Sequence, residues 1–376
     1  MHDGARRWVG WLGLAHAIGV GFCALAAVAC SSSNGSAPGG LPLDGGAGTD
    51  VAVPDAVAQN SAGSDSSARA PTDGGESTIA TIFVPDDLAG AVYRYSVTAN
   101  ADPVWEATIS VPSANSVAML STGELFVTSY AGKAIYRFLS PFGALTPNGT
   151  ITGIGLAAYV EGTTVVDGEL WINNYAGSNM IELSFNPQGV ASVAGTVSVF
   201  EPMGVVWDSV SRVLYVSEPS QTVNQVQSAG APLRAIQPYS VSTDHVATAL
   251  APIPAPNPYG MVVAPWGELL VADSTDTSLS RFSVDAQGNA TANGTITGNG
   301  LSYPLSLNFA PWGELFVGNQ GTGALSRFTF DSSHNAVPNG TFQTKAGPAP
   351  NGAGSGSRMD WIALFPGSSI VDAGGM

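Results

Sequence analysis

The chain has 376 residues, 44% of them hydrophobic, which is enough for a large core and excludes a wholly disordered protein. Its 46 glycines and 25 prolines argue against long helical bundles, because both residues break helix interiors. Only 11% of residues are charged, the net charge is −16, and Lys133 and Lys345 are the sole lysines, which excludes a nucleic-acid binder reliant on Lys/Arg patches.

Arg6 and Arg7 lie near the start, and Trp8 to Ala29 then runs without a charged side chain, the pattern of a secretion signal. The run ends in Ala27-Val28-Ala29-Cys30, which resembles the lipobox of bacterial lipoproteins, with Ala27 where that family usually has Leu. The resemblance implies that residues 1–29 are a signal peptide and that the Cys30 thiol carries a diacylglycerol. It also implies export and an acyl membrane anchor at the cell envelope. Ser31, in place of Asp, implies the outer membrane. An uncleaved membrane-spanning anchor and ordinary cleavage after Ala29 are the alternatives. Cys23 and Cys30 are the only cysteines, so the mature chain is expected to have neither a disulfide nor a thiolate metal site. Residues 31–77 contain no Phe, Trp or Tyr and are rich in Gly, Ser, Ala, Asp and Pro, which makes 30–77 an expected disordered tether.

From residue 78 to 366 the chain repeats. Six apolar segments are centred on Phe83, Phe126, Trp171, Tyr215, Leu270 and Phe316, at spacings of 43, 45, 44, 55 and 46. That is the period of a propeller blade. Eleven residues after four of these anchors stand Arg94, Arg137, Arg281 and Arg327; Glu182 and Val226 hold the place in the other two. Gly-Glu-Leu precedes four anchors and carries Glu124, Glu169, Glu268 and Glu314. These glutamates are the expected partners of the arginines. Asn148-Gly149, Asn293-Gly294 and Asn339-Gly340 follow later in the unit, and Asn-Gly suggests a tight turn opening a further strand. Each unit therefore reads as four antiparallel strands, a to d, and the whole as an all-β, six-bladed propeller. The first anchor has no strand a before it, and Met359 to Phe365 looks like a strand a with no strand b after it. The C-terminal strand is thus expected to close the ring in the N-terminal blade, leaving 367–376 as a tail. The long spacing after Tyr215 places about ten extra residues in the stretch Ala231 to Pro258.

Pro258-Tyr259-Gly260-Met261 through Val271-Ala272-Asp273, with Leu279-Ser280-Arg281-Phe282, resembles NHL-type repeats and the repeats of the senescence-marker/gluconolactonase propeller family. That resemblance implies a divalent metal in the central channel, held by Glu, Asn and Asp at the starts of the innermost strands. The matching positions are Asn115, Glu161, Met203, Tyr259, Leu305 and Met359 or Asp360. Asn115, Glu161 and Asp360 are therefore the candidate ligands, suited by their oxygens to Ca²⁺. Half of this ring is apolar, and the family's N-terminal Glu-Gly-Pro stretch is absent. The bland reading makes these solvated channel-mouth or loop residues. His245 and His334, the only histidines after the signal, read as exposed loop residues, and no nucleophile-elbow motif is present. Asp86-Asp87 and Asp273 with Asp276 read as turn formers. Trp266 and Trp312, each in Pro-Trp-Gly-Glu, read as packing between neighbouring blades.

The function expected is a binding or scaffold module at the cell envelope, with an unidentified protein or glycan partner. The alternative is a metal-dependent lactonase-like hydrolase with its site in the channel.

Overall fold

The computed structural model describes residues 79–221, 223, 234–285, 287–348 and 359–366. Cys30 and the stretches expected to be a signal peptide, a tether and a tail lie outside them.

The described residues form six antiparallel sheets, one for each anchor. Blade 1 takes its inner strand, Ala363–Pro366, from the C-terminal end and adds Ile79–Asp86, Ala91–Thr98 and Val104–Ser110. Blade 2 runs Ala114–Met119, Leu125–Ser129, Ala134–Leu139 and Thr146–Ile151. Blade 3 runs Val160–Val166, Glu169–Asn174, Asn179–Phe185 and Ala191–Ser198. Blade 4 runs Val205–Asp208, Val213–Glu218 and Arg234–Val241, with its outer strand split into Ala247–Ala249 and Ile253–Ala255. Blade 5 runs Pro258–Val263, Glu268–Asp273, Ser278–Val284 and Ala290–Thr297. Blade 6 runs Pro304–Phe309, Leu315–Asn319, Ala324–Phe330 and Ala336–Gln343. The closing strand pairs antiparallel with blade 1, Phe83 against Ala363 and Ala80 against Pro366.

Strand b is a nearly unbroken apolar run because both of its faces are covered. Phe126 points into the core shared with blade 3, against Leu170, Ile172 and Ile181. Its neighbours Leu125 and Val127 point the other way, into the core shared with Phe83 and Val92 of blade 1. The pattern recurs around the ring, giving six cores, one between each pair of adjacent blades. The last of them joins Phe316 and Leu325 of blade 6 to Ile82, Val84 and Tyr95 of blade 1, with Met359 and Ile362 of the closing segment.

The recurring arginines tie strands b, c and d of a blade together. Arg137 lies 2.7 Å from Glu124, Arg281 2.6 Å from Glu268 and Arg327 2.7 Å from Glu314. Asn148, Asn293 and Asn339 donate to the same three carboxylates from strand d. Here the Asn-Gly turn expectation fails. The dipeptide sits inside strand d, at a bulge opposite the arginine, where the pairing skips a residue between Tyr136 and Phe138, Ser280 and Phe282, or Ser326 and Phe328. The positive φ of Gly149, Gly294 and Gly340 serves the bulge rather than a hairpin turn. Blades 1, 3 and 4 depart from the staple, blade 4 because Pro238 faces its anchor. Arg94 pairs with Glu106 of strand d at 3.0 Å and donates to the carbonyls of Pro141 and Gly143 in blade 2. In blade 3, Glu182 stands where the arginine would be, and His245 of blade 4 pairs with it.

The extra residues of blade 4 are also displaced from where they were expected. Five anchors pair with the residue 11 positions on, as Phe126 does with Arg137, but Tyr215 pairs with Pro238, 23 positions on. The insertion therefore lies between Glu218 and Arg234, in the b–c connection, and Pro238 rather than Val226 is the counterpart of the arginines.

Candidate functional site

Each inner strand a begins near the ring axis on the face that carries the b–c turns. The six positions aligned from sequence, Asn115, Glu161, Met203, Tyr259, Leu305 and Asp360, line one cup there, of about 190 Å³. Asp87, Tyr130 and Gln320 join them from b–c turns, each four residues beyond its anchor, and Trp361 completes the wall. Asn115, Glu161 and Asp360 are 1%, 6% and 4% exposed, so they are buried rather than solvated mouth or loop residues.

The next residue along each of these segments explains why the cup has a floor. Those residues are Ser116, Gly162, Gly204, Gly260, Ser306 and Trp361. Five are small because adjacent inner strands touch: Gly162 N–H donates to the Met203 carbonyl at 2.9 Å, and a Cβ on Gly162 would come within 2.8 Å of that oxygen. The sixth, Trp361, fills the space the others leave. Its backbone N–H donates to the Asn115 carbonyl at 3.1 Å, and it bridges Ser116. The indole lines both the cup and a second cavity of about 230 Å³ farther down the channel, between the inner strands. It divides the channel in two.

The Trp361 indole N–H donates to Glu161 Oε2 at 3.1 Å, and Asn115 Nδ2 donates to the same oxygen at 3.4 Å. Asn115 Oδ1 is buried with no hydrogen-bond partner. Burial pushes the Glu161 carboxyl up to about 7, against the pull of those two donors; the charge of Asp87 adds to the rise. Burial likewise raises Asp87 to about 6, opposed by the Leu88 N–H and reinforced by Asp86. The Tyr130 phenol is raised by burial and by the charges of Glu161, Tyr159, Asp360 and Asp87. Two acids that exchange protons near neutrality thus share one cup. Tyr130 packs against Tyr159 with the rings tilted and their centres 4.8 Å apart, and Tyr159 meets Tyr175 at 6.4 Å, which sets an aromatic row beside the cup.

Among the described residues no three His, Cys, Asp or Glu side chains come together to hold a metal ion. A cation in the cup would rest on Glu161, Asp360 and the Asn115 amide oxygen, an oxygen-only set of the kind hard cations accept.

The remaining sequence candidates serve the frame. Asp86 Oδ1 accepts from Ala89 N–H at 2.8 Å, and Asp273 Oδ1 accepts from Thr275 N–H at 3.3 Å, each closing its b–c turn. Asp276 accepts from Thr277 N–H. Trp266 packs on Phe309 and Phe330 of blade 6, and the exposed His334 ring stacks on it at 4.5 Å. Trp312 packs against the core between blades 6 and 1. His245, read as an exposed loop residue, is half-buried in a c–d turn against Glu182. Neither histidine lines the cup. Asp87, read from sequence as a turn former, lines the cup instead; Tyr130, Gln320 and Trp361 were not singled out from sequence as site residues, and the small residues that follow five of the six cup positions were the available signal for the plug.

No protein-family model matches the chain, and no curated protein matches it in sequence. Solved structures share its fold. A putative 6-phosphogluconolactonase from Bacteroides fragilis has a TM-score of 0.56 at 11% identity, covering 77% of this chain and 98% of its own. The periplasmic gluconolactonase PpgL of Pseudomonas aeruginosa has a TM-score of 0.56 at 14% identity, covering 77% of this chain and 100% of its own. A chain of a nidogen/laminin complex has a TM-score of 0.54 at 14% identity, covering 76% and 98%. At such identities the likeness is one of fold: the chain is an all-β, six-bladed propeller similar to lactonase-type propellers and to a propeller found in a protein complex.

Proposed function

We propose that this protein is a binding module of the cell envelope, held there by a lipid on Cys30 and a tether, that takes its ligand in the cup at the centre of the ring. The observation that carries the reading is the cup itself: a buried, floored recess whose wall offers carboxylates, an open amide oxygen and aromatic faces. Such a recess with a few convergent polar groups is the default ligand site of a fold. The anchor and the outer-membrane address rest on the basic start, the uncharged run and the small residues before Cys30. Substituting Cys30→Ser and following incorporation of labelled fatty acid tests them. Label retained in the variant would refute lipidation at Cys30.

A second reading is a lactone hydrolase, favoured by the convergence of Asn115, Glu161 and Asp360 in one cup. Those three residues would hold a divalent cation, which would polarise a lactone carbonyl when bound. Asp87, raised to about 6 and outside that ligand set, can take up a proton from water near neutral pH. The full chain should be melted with Ca²⁺ and with chelator, and assayed for gluconolactone hydrolysis. Turnover that disappears in Glu161→Gln would establish the hydrolase and displace the binding module. Absence of turnover and of a calcium-dependent shift refutes it.

A further inference from the structure

The compartment below the Trp361 plug, of about 230 Å³, differs in chemistry from the cup. Among the described residues no titratable side chain lines it. One layer of its wall follows the blade repeat. The inner-strand residues that pair with the six anchors are Ala118, Thr164, Val206, Val262, Asn308 and Ala363. All six line the compartment. Four are apolar, and Thr164 and Asn308 break the pattern. They belong to blades 3 and 6, which lie three steps apart in the ring and so face each other across the axis. The hydroxyls nearer the plug are spent within the frame. Ser116 Oγ and Thr163 Oγ1 lie 2.7 Å apart, and Ser306 Oγ donates to the Asp360 carbonyl and accepts from Ile362 N–H. Asn308 Nδ2 donates to the Ile362 carbonyl at 2.8 Å. The Thr164 hydroxyl and Asn308 Oδ1 have no partner among the described residues. Both residues are half-buried, as are Val206 and Val262 beside them. The compartment thus offers two open polar points on opposite walls with apolar surface between them. Its volume exceeds the about 150 Å³ of an apolar cavity that takes up benzene.

We infer that this lower compartment is a second binding site, for a small neutral ring compound with a hydroxyl or amide group at each end. One end donates to Asn308 Oδ1, the other meets the Thr164 hydroxyl, and the ring covers Val206, Val262 and the indole of Trp361. Covering that surface removes apolar area from water, while the two polar ends keep the wall's hydrogen bonds made. A charged group would leave water for a wall that offers it no counter-charge, which selects against ions. The inference does not depend on what the cup binds.

The test is isothermal titration of the full chain with terephthalyl alcohol, benzyl alcohol, toluene and benzylamine, each alone. Terephthalyl alcohol, with a hydroxymethyl group at each end of its ring, should bind one per chain. Benzyl alcohol, which lacks one hydroxyl, should bind about three- to tenfold more weakly, and toluene more weakly again by a similar factor. Benzylamine, charged at neutral pH, should bind at least about tenfold more weakly than benzyl alcohol. Thr164→Val removes the hydroxyl and keeps the branched shape; it should weaken terephthalyl alcohol by about three- to tenfold and leave toluene unchanged. Val206→Phe fills the compartment and should abolish binding of both. Circular dichroism checks that each variant is folded, and Thr164→Val decides alone if Val206→Phe is not. Terephthalyl alcohol no tighter than toluene, or no tighter in the parent than in Thr164→Val, would overturn the two-point recognition. Benzylamine as tight as benzyl alcohol would overturn the preference for neutral ligands. Binding that Glu161→Gln weakens and Thr164→Val does not would place the probe in the cup and overturn the second site. No binding of any probe would overturn the inference.

Discussion

Removing Glu314 should unfold the ring more readily than removing any exposed acid. Glu314 and Arg327 are 1% and 4% exposed at the side chain and 2.7 Å apart. Glu314 also accepts from Trp312 Nε1 at 2.8 Å and Asn339 Nδ2 at 2.7 Å. Glu314→Ala strands the guanidinium beside a single remaining acid, Asp102, which is 77% exposed and holds it weakly. Breaking one side of a buried pair costs about 3–5 kcal/mol. Trp312 and Asn339 are only half-buried and can turn to water, which keeps the cost inside that range. In urea unfolding followed by tryptophan fluorescence, a slope of about 3 kcal/mol per molar turns this into a midpoint roughly 1 M lower. The double replacement Glu314→Leu with Arg327→Met removes both charges and should recover to within about 1 kcal/mol of the parent. Glu106→Ala is the comparison, since Glu106 is 33% exposed and Arg94 keeps two carbonyl acceptors; it should cost about 1 kcal/mol or less. If Glu314→Ala costs no more than Glu106→Ala, or the double variant is as unstable as the single, then the staple is not a buried pair in the energetic sense and the reasoning fails.

Three further outcomes are expected. Glu161 has a folded pKa of about 7 against an ordinary 4.5, so the stability tied to its neutral form is complete below 4.5 and is lost as pH rises through 7. This amounts to roughly 3 kcal/mol, and a melting temperature that falls from pH 5 to 8 and flattens in Glu161→Gln would show it, whereas an unchanged slope in the variant would not. Gly260→Ala sets a methyl against the Leu305 carbonyl, where backbone must move, and should cost about 1–3 kcal/mol in urea titrations; a neutral effect would mean that the inner strands are not in contact there. Glu182→Arg installs the missing partner of Glu169, whose carboxyl burial and Glu182 together push up. It should raise the melting temperature by about 2–4 °C, and a fall would show that the pairing of Glu182 with His245 contributes more than the staple.

What could be read in the sequence is what each blade repeats locally. The anchors, the Glu–Arg pairs and the orphan strand at the C-terminal end recur at fixed offsets, because every blade solves the same burial problem between two neighbours. The cup positions followed from the same alignment, since four are the second residue of an inner strand and Met203 and Asp360 lie two and three residues before one. Local signals failed where two structures demand the same residue chemistry. Asn-Gly provides a positive φ for a hairpin turn and for a bulge alike, and only the pairing opposite Arg137, Arg281 and Arg327 separates them. Counting failed in blade 4 because Val226 lies at the expected offset, while the alternating run Arg234–Val241 is the strand that pairs. Asp87, Tyr130 and Gln320 were hidden because they enter the cup from turns, whose residues are set by no blade-wide burial pattern.

The closing segment joins the two roles of the ring. Ala363–Pro366 fastens blade 1, while the three residues before it do work at the axis. Asp360 N–H bonds to the Pro85 carbonyl of blade 1 and Trp361 N–H to the Asn115 carbonyl of blade 2. Ser306 Oγ of blade 6 donates to the Asp360 carbonyl and accepts from Ile362 N–H. One tripeptide therefore links blades 6, 1 and 2 and at the same time supplies the floor of the cup and one of its acids. Before the segment docks, Glu161 lacks its indole donor and the cup is continuous with the cavity below. Ring closure and site formation are the same event, so a ligand that touches Trp361 or Asp360 is bound only by the closed ring and must stabilise it by mass action. That coupling gives a physical reason for a propeller to place its ligand site against its own seam: occupancy of the cup and integrity of the ring rise together.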